Sequence, residues 1–121
     1  MNSLFLFLYI TNASLLILHE IESGYEKEWE ILKLPGGLTG FLLLHIPILL
    51  LLFYGLVEIL NETTTGMILG VIAGIGGFIP FIVHKILVRK KGHFNRIISN
   101  IIIYMNIITG IGTVYFSIRG W

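Results

Sequence analysis

Four long apolar runs, separated by short polar breaks, organise this chain. The first covers residues 3–23, the second 38–60, the third 64–88 and the fourth 97–118. Each is near the roughly 20 residues that an α-helix needs to cross about 30 Å of hydrocarbon. The breaks carry turn residues: Pro35-Gly36-Gly37, Asn61-Glu62-Thr63 and Arg89-Lys90-Lys91-Gly92. The runs are continuous and do not alternate, which speaks against a β-barrel. A soluble helix bundle would need polar outer faces, and runs two and three have none. The pattern predicts one integral membrane domain, residues 1–121, all-α, a four-helix transmembrane bundle running up-down-up-down.

Up-down topology then collects what the sequence scatters. His19 lies late in span one, His45 early in span two and His84 late in span three, with His93 in the following connection. All four imidazoles fall at one end of the bundle. Ionisable groups within spans are costly and by default mark a functional site. In span one, Asn12, Leu16, His19, Glu22 and Glu26 recur at helical spacing, so His19 and Glu22 form a short H-x-x-E element on one face. In span three, Gly66, Gly70, Gly74, Gly77, Phe81 and His84 share a face, and its small residues suit close helix contact. Ser99, Asn106, Gly110, Thr113 and Ser117 do the same in span four. Pro80 predicts a kink that leaves the Gly76 carbonyl unpaired, and Pro47 predicts a local distortion near His45.

Composition reinforces the membrane reading. Of 121 residues, 55% are hydrophobic and 12% charged, with a mean hydropathy of +0.90. A soluble domain of this size needs more polar surface. The net charge of +1 comes with one local basic cluster, which gives nucleic acid no footing as a partner. There is no cysteine, so disulfides, thiolate ligands and thiol nucleophiles are excluded, and there is no aspartate to complete a Ser-His-Asp arrangement. The glycines from Gly74 to Gly77 lie inside a span and lack the Lys-Ser/Thr of a nucleotide-binding loop. Met1-Asn2-Ser3 lacks the basic start of a secretory signal, so span one is expected to be retained.

Orientation follows lysine and arginine. Lys27, Lys33, Lys85, Arg89, Lys90, Lys91 and Arg96 flank the histidine end, and Arg119 alone lies at the other. The expected location is the cell (inner or plasma) membrane, with the histidine-side loops cytoplasmic and both termini outside. Trp29 and Trp121 fit as interfacial anchors on opposite faces. Glu20, Glu22, Glu26, Glu28 and Glu30 make the first histidine-side connection acidic and the second is basic, so the two can pair across the bundle mouth.

Three histidines and a carboxylate from facing helices match a zinc or non-haem iron site. The expected metal ligands are His19, Glu22, His45 and His84, with Glu26 tuning them from behind and with Asn12 and Asn106 as further contacts for a small polar ligand. Depth is the difficulty: His45 starts about 10 Å inside its helix and His84 sits about 6 Å from its end. The alternatives give each histidine an ordinary interfacial or carbonyl-bonding role, with His93 solvated and Glu58 and Glu62 interfacial at the far end. A second class of function is a scaffold or accessory subunit that presents its glycine faces to a second copy or another membrane protein, in contact with membrane lipids. A transport or channel subunit would need a polar route that span two does not supply between His45 and Tyr54.

The stretch His19-Glu20-Ile21-Glu22-Ser23-Gly24-Tyr25-Glu26-Lys27-Glu28-Trp29-Glu30, followed by Leu34-Pro35-Gly36-Gly37 and Leu42-Leu43-Leu44-His45-Ile46-Pro47, resembles an uncharacterised family of small prokaryotic four-span membrane proteins. More distantly it is similar to the H-x-x-E-E group of membrane proteins, departing from that pattern at Ser23. The resemblance implies that His19, Glu22, Trp29 and His45 belong to the family pattern, and it implies no activity.

Overall fold

The computed structural model describes residues 2–88 and 96–121. His93 and the basic run Arg89, Lys90 and Lys91 with Gly92 lie outside the described residues. The described chain is all-helical, with four long apolar helices. These are α1 (Ser3–Tyr25), α3 (Gly37–Leu60), a third span of several pieces over Thr64–Ile86, and α6 (Ile97–Arg119). At 23 or 24 residues each, they reach about 35 Å, enough to cross a bilayer core. A short helix, α2 (Glu28–Ile31), fills the first connection.

Local chemistry sets the ends. Asn2 caps α1 by accepting the Leu4 amide, and Thr63 caps the third span by accepting that of Gly66. Gly36 takes a φ of +95°, and a Cβ there would stand 2.9 Å from Gly40 Cα, so the Pro35-Gly36-Gly37 turn needs a glycine at its centre. The third span breaks where Pro80 requires it. Regular helix α4 (Thr64–Gly76) stops one turn before the proline, whose missing N–H leaves Gly76 without its helical donor. The chain then makes the three-residue α5 (Ile79–Phe81) and a wide π-helical turn over Ile82–Val88. Regular helix is therefore interrupted beside the proline, and the interruption extends into a change of helix type that hydrophobic periodicity does not signal.

α1 and α4 touch each other and both pack on α3 and α6, with α1–α6 and α4–α6 the most extensive seams. The glycine face of α4 is used inside the chain. A Cβ at Gly74 would stand 2.6 Å from Val114 Cγ2 and 2.8 Å from the Gly110 carbonyl oxygen, and one at Gly66 would stand 2.7 Å from the Glu58 carbonyl. Gly74→Ala is expected to cost about 1–3 kcal/mol through overpacking. Gly76→Ala, whose Cβ would meet only Leu16 Cδ1 at 3.6 Å, should be tolerated. Unfolding of both variants in detergent compares them directly. The glycine faces expected to meet a partner thus meet α3 and α6 of the same chain.

Midway along the bundle, Asn12 ties three helices together. Its Nδ2 donates to the Ala73 carbonyl at 2.8 Å, and its Oδ1 accepts from Asn106 Nδ2 at 2.7 Å and Thr109 Oγ1 at 3.1 Å. Thr113 donates back to the Thr109 carbonyl. All four side chains are buried, and in an apolar bundle such groups must satisfy one another. α3 is the outlier: only Leu52, Gly55 and Ile59 of its 24 residues are buried. Its many exposed leucines form the kind of apolar surface that lipid covers.

Candidate metal centre

His19 arrives on the last turns of α1, facing inward with the stripe that also buries Asn12 and Ser23. His84 comes from the π-helical turn, and both rings are buried. Their Nε2 atoms are 3.2 Å apart. The third member is Glu28. Lys27 adopts a left-handed backbone (φ 51°), which ends the α1 trajectory and folds α2 back so that Glu28 Oε1 lies 3.3 Å from His84 Nε2. One donor atom from each of His19, Glu28 and His84 lies within 4.8 Å of the others. Ser23 Oγ adds a neighbour 3.4 Å from His19 Nε2.

Those separations have a chemical meaning. A tetrahedral zinc ion with bonds near 2.0–2.1 Å sets neighbouring donors about 3.3 Å apart along each edge. The His19–His84 and His84–Glu28 spacings sit at that value. The same distances also suit a hydrogen-bonded cluster in which the one N–H at His84 Nε2 faces both Glu28 Oε1 and His19 Nε2, two acceptors. Burial works to raise the Glu28 carboxyl, but hydrogen bonds from His84 and Ser23 and the nearby imidazole charges outweigh it and hold it below the usual carboxylate range. A depressed carboxylate favours the folded arrangement at neutral pH, and that contribution fades as the pH falls through its lowered range.

His45 and Glu22 lie outside this close group. His45 Nε2 pairs with Glu20 Oε2, and its Nδ1 lies 2.6 Å from the Phe41 carbonyl, to which it donates. The carbonyl it uses is one turn back on its own helix and is not the one that Pro47 deprives of a donor. With Nδ1–H committed to Phe41, Nε2 is the ring atom left to face the Glu20 carboxyl. Glu22 accepts from Ser99 and lies 3.6 Å from Arg96. Glu26 accepts from Arg96 at 2.9 Å, and that partner raises the exposed guanidinium further. The acidic and basic connections therefore do pair, through Arg96, along the α1–α6 seam. Asn12 and Asn106 sit deeper, bonded to each other.

Glu28 and Glu20 are the residues that sequence reasoning missed. Glu28 reads in the sequence only as one of five glutamates of an acidic connection. A signal was present in Trp29, an interfacial anchor that draws its neighbours back to the bundle surface; its ring packs 5.3 Å from that of Phe41. Glu20, one residue after His19 on the helix, points away from it. It turns toward α3, where His45 waits.

Glu20, Glu28 and His45 also line one end of a cavity of about 550 Å³ between α1, α3 and the third span. Its other walls are almost wholly apolar, among them Leu16, Leu44, Ile48, Leu52 and Ile72. Comparison with known proteins adds one finding: residues 5–120 match the model of a family of unknown function, DUF6713. The match takes in both halves of the chain, beyond the first-half motifs that carried the resemblance. No curated protein matches, and no solved structure does either.

Proposed function

Since the chain belongs to a family of unknown function (DUF6713), its role has to be read from its own side chains, and we propose that it is a small integral membrane protein that binds a divalent metal, zinc or iron. The ligands are His19, His84 and Glu28. The observation that carries this reading is the spacing of His84 Nε2, 3.2 Å from His19 Nε2 and 3.3 Å from Glu28 Oε1. Two imidazoles and one carboxylate form a donor set that zinc and non-haem iron both accept, and three protein ligands leave a position for water or a polar ligand. Glu20 and His45 stand by as a proton-handling pair. The distribution of Lys27, Lys33, Lys85 and Arg96 favours placing this end in the cytoplasm and both termini outside.

Elemental analysis of protein purified in detergent tests the proposal. Roughly one zinc or iron per chain is expected for a site with this donor set. A His19→Ala/His84→Ala double variant should carry only background metal. Added zinc should also raise the unfolding temperature of the native chain and leave that of the double variant unchanged, because only a folded-state ligand shifts the equilibrium. Equal metal in both proteins would refute ligation and leave a hydrogen-bonded His–His–Glu cluster.

A further inference from the structure

The cavity beside the metal centre has two unlike ends. Glu20, Glu28 and His45 supply the polar one, and Glu28 belongs at once to the cavity wall and to the His19–Glu28–His84 group. The rest is hydrocarbon surface. Leu44, Ile48, Ile72 and Ile79 line the cavity and are exposed residues of membrane-spanning segments, so its mouth lies at the depth where acyl chains would lie. It exists because α3 packs loosely on α1 and because Ala73 and Gly76 put little side chain into the wall. Its volume, about 550 Å³, falls within the roughly 300–1,000 Å³ of small-molecule sites. Sites of that size hold one drug-sized ligand, which is the size of a fatty acid or a lysophospholipid and well below that of a two-chain phospholipid.

We propose that the ligand of this centre is a single-chain amphiphile drawn laterally from the bilayer, with its tail in the cavity between α1, α3 and the third span and an oxygen-bearing head group at the metal held by Glu28. The class covers fatty acids and lysophospholipids: one acyl chain, with a carboxylate, phosphate or ester oxygen able to complete the coordination sphere. Apolar walls with a few convergent polar groups are the usual make-up of such sites. The head-group half of this inference rests on the metal reading. The tail half rests on the cavity alone.

The test uses palmitic acid spin-labelled near its methyl end and zinc-loaded protein in phosphatidylcholine nanodiscs, with a spin-labelled two-chain phosphatidylcholine as the control for ordinary surrounding lipid. The expected result is a motionally restricted component for the fatty acid beyond that of the control. Gly76→Phe should remove it, because the backbone there accepts a side chain whose ring would occupy the cavity. Ile48→Trp fills the same space from α3 and serves if the first variant does not fold. Both should keep their zinc. A restricted component that survives both variants, or one equally strong for the two-chain lipid, overturns the inference while leaving the metal centre intact. Failure of the metal reading looks different: no stoichiometric metal, yet a fatty-acid signal that the cavity variants still remove. That outcome upholds the single-chain ligand and assigns its head to the Glu20–His45 pair.

Discussion

Glu28→Gln should weaken zinc binding by roughly 100-fold or more, whereas Glu22→Gln should change it less than about tenfold. Removing a group that merely supports a ligand already costs 10–100-fold in typical sites, and Glu28 would be a ligand itself. Glutamine keeps one oxygen at nearly the same place but gives up the charge that offsets the cation. The two carboxylates make a sharp comparison because their settings differ. Glu28 Oε1 faces His84 Nε2 at 3.3 Å, while Glu22 is occupied with Ser99 and Arg96 on the α1–α6 seam. Competition titration with a chromophoric chelator measures both variants. If Glu22→Gln proves the more damaging, the H-x-x-E element of span one is the ligand pair and the fold-back through Lys27 is incidental.

Asn12→Leu should destabilise the bundle by about 2 kcal/mol and leave metal content unchanged. The size follows from what each partner keeps. Ala73 O still receives the Gly77 amide at 3.2 Å, the single Thr109 hydroxyl proton can turn to Met105 O, and Asn106 Nδ2 retains the Asn12 backbone carbonyl at 3.3 Å. None is stranded, so the full penalty for burying an unpaired group does not apply. Interhelical hydrogen bonds in membranes average about 0.6 kcal/mol each, and three are lost. Unfolding by a denaturing detergent provides the measurement, and Asn106→Leu and the double variant complete a cycle. A change below about 0.5 kcal/mol for Asn12→Leu would mean that the asparagine is packing and not a strut.

The spans and their ends were legible because hydrophobicity and turn residues are local signals. The expected third span, 64–88, agrees at its start with Thr64–Ile86, and Pro80 correctly announced a break. The gathering of His19 and His84 also followed from alternation alone. The exact partners did not. Whether Glu22 or Glu28 joins them depends on a single left-handed residue, Lys27, and neither lysine nor its neighbours advertise that conformation as glycine would. His45 was placed at the right end but on the wrong neighbour, since helical spacing tells which residues share a face without telling which helix that face meets. Glu20 and His45 needed the packing order of α1 and α3, a tertiary fact.

The wide turn at Ile82–Val88 acts on its span like a coupling with its own gearing. A π-helical turn carries an added residue, and each residue of a regular helix advances the side chain by about 100°. The stretch after Pro80 is therefore out of phase with the stretch before it. The tight glycine seam can stay in mesh with α6 while the imidazole within the turn is aimed separately at α1. Adhesion and chemistry are thus tuned on one rod by independent adjustments, and changes to either need not disturb the other.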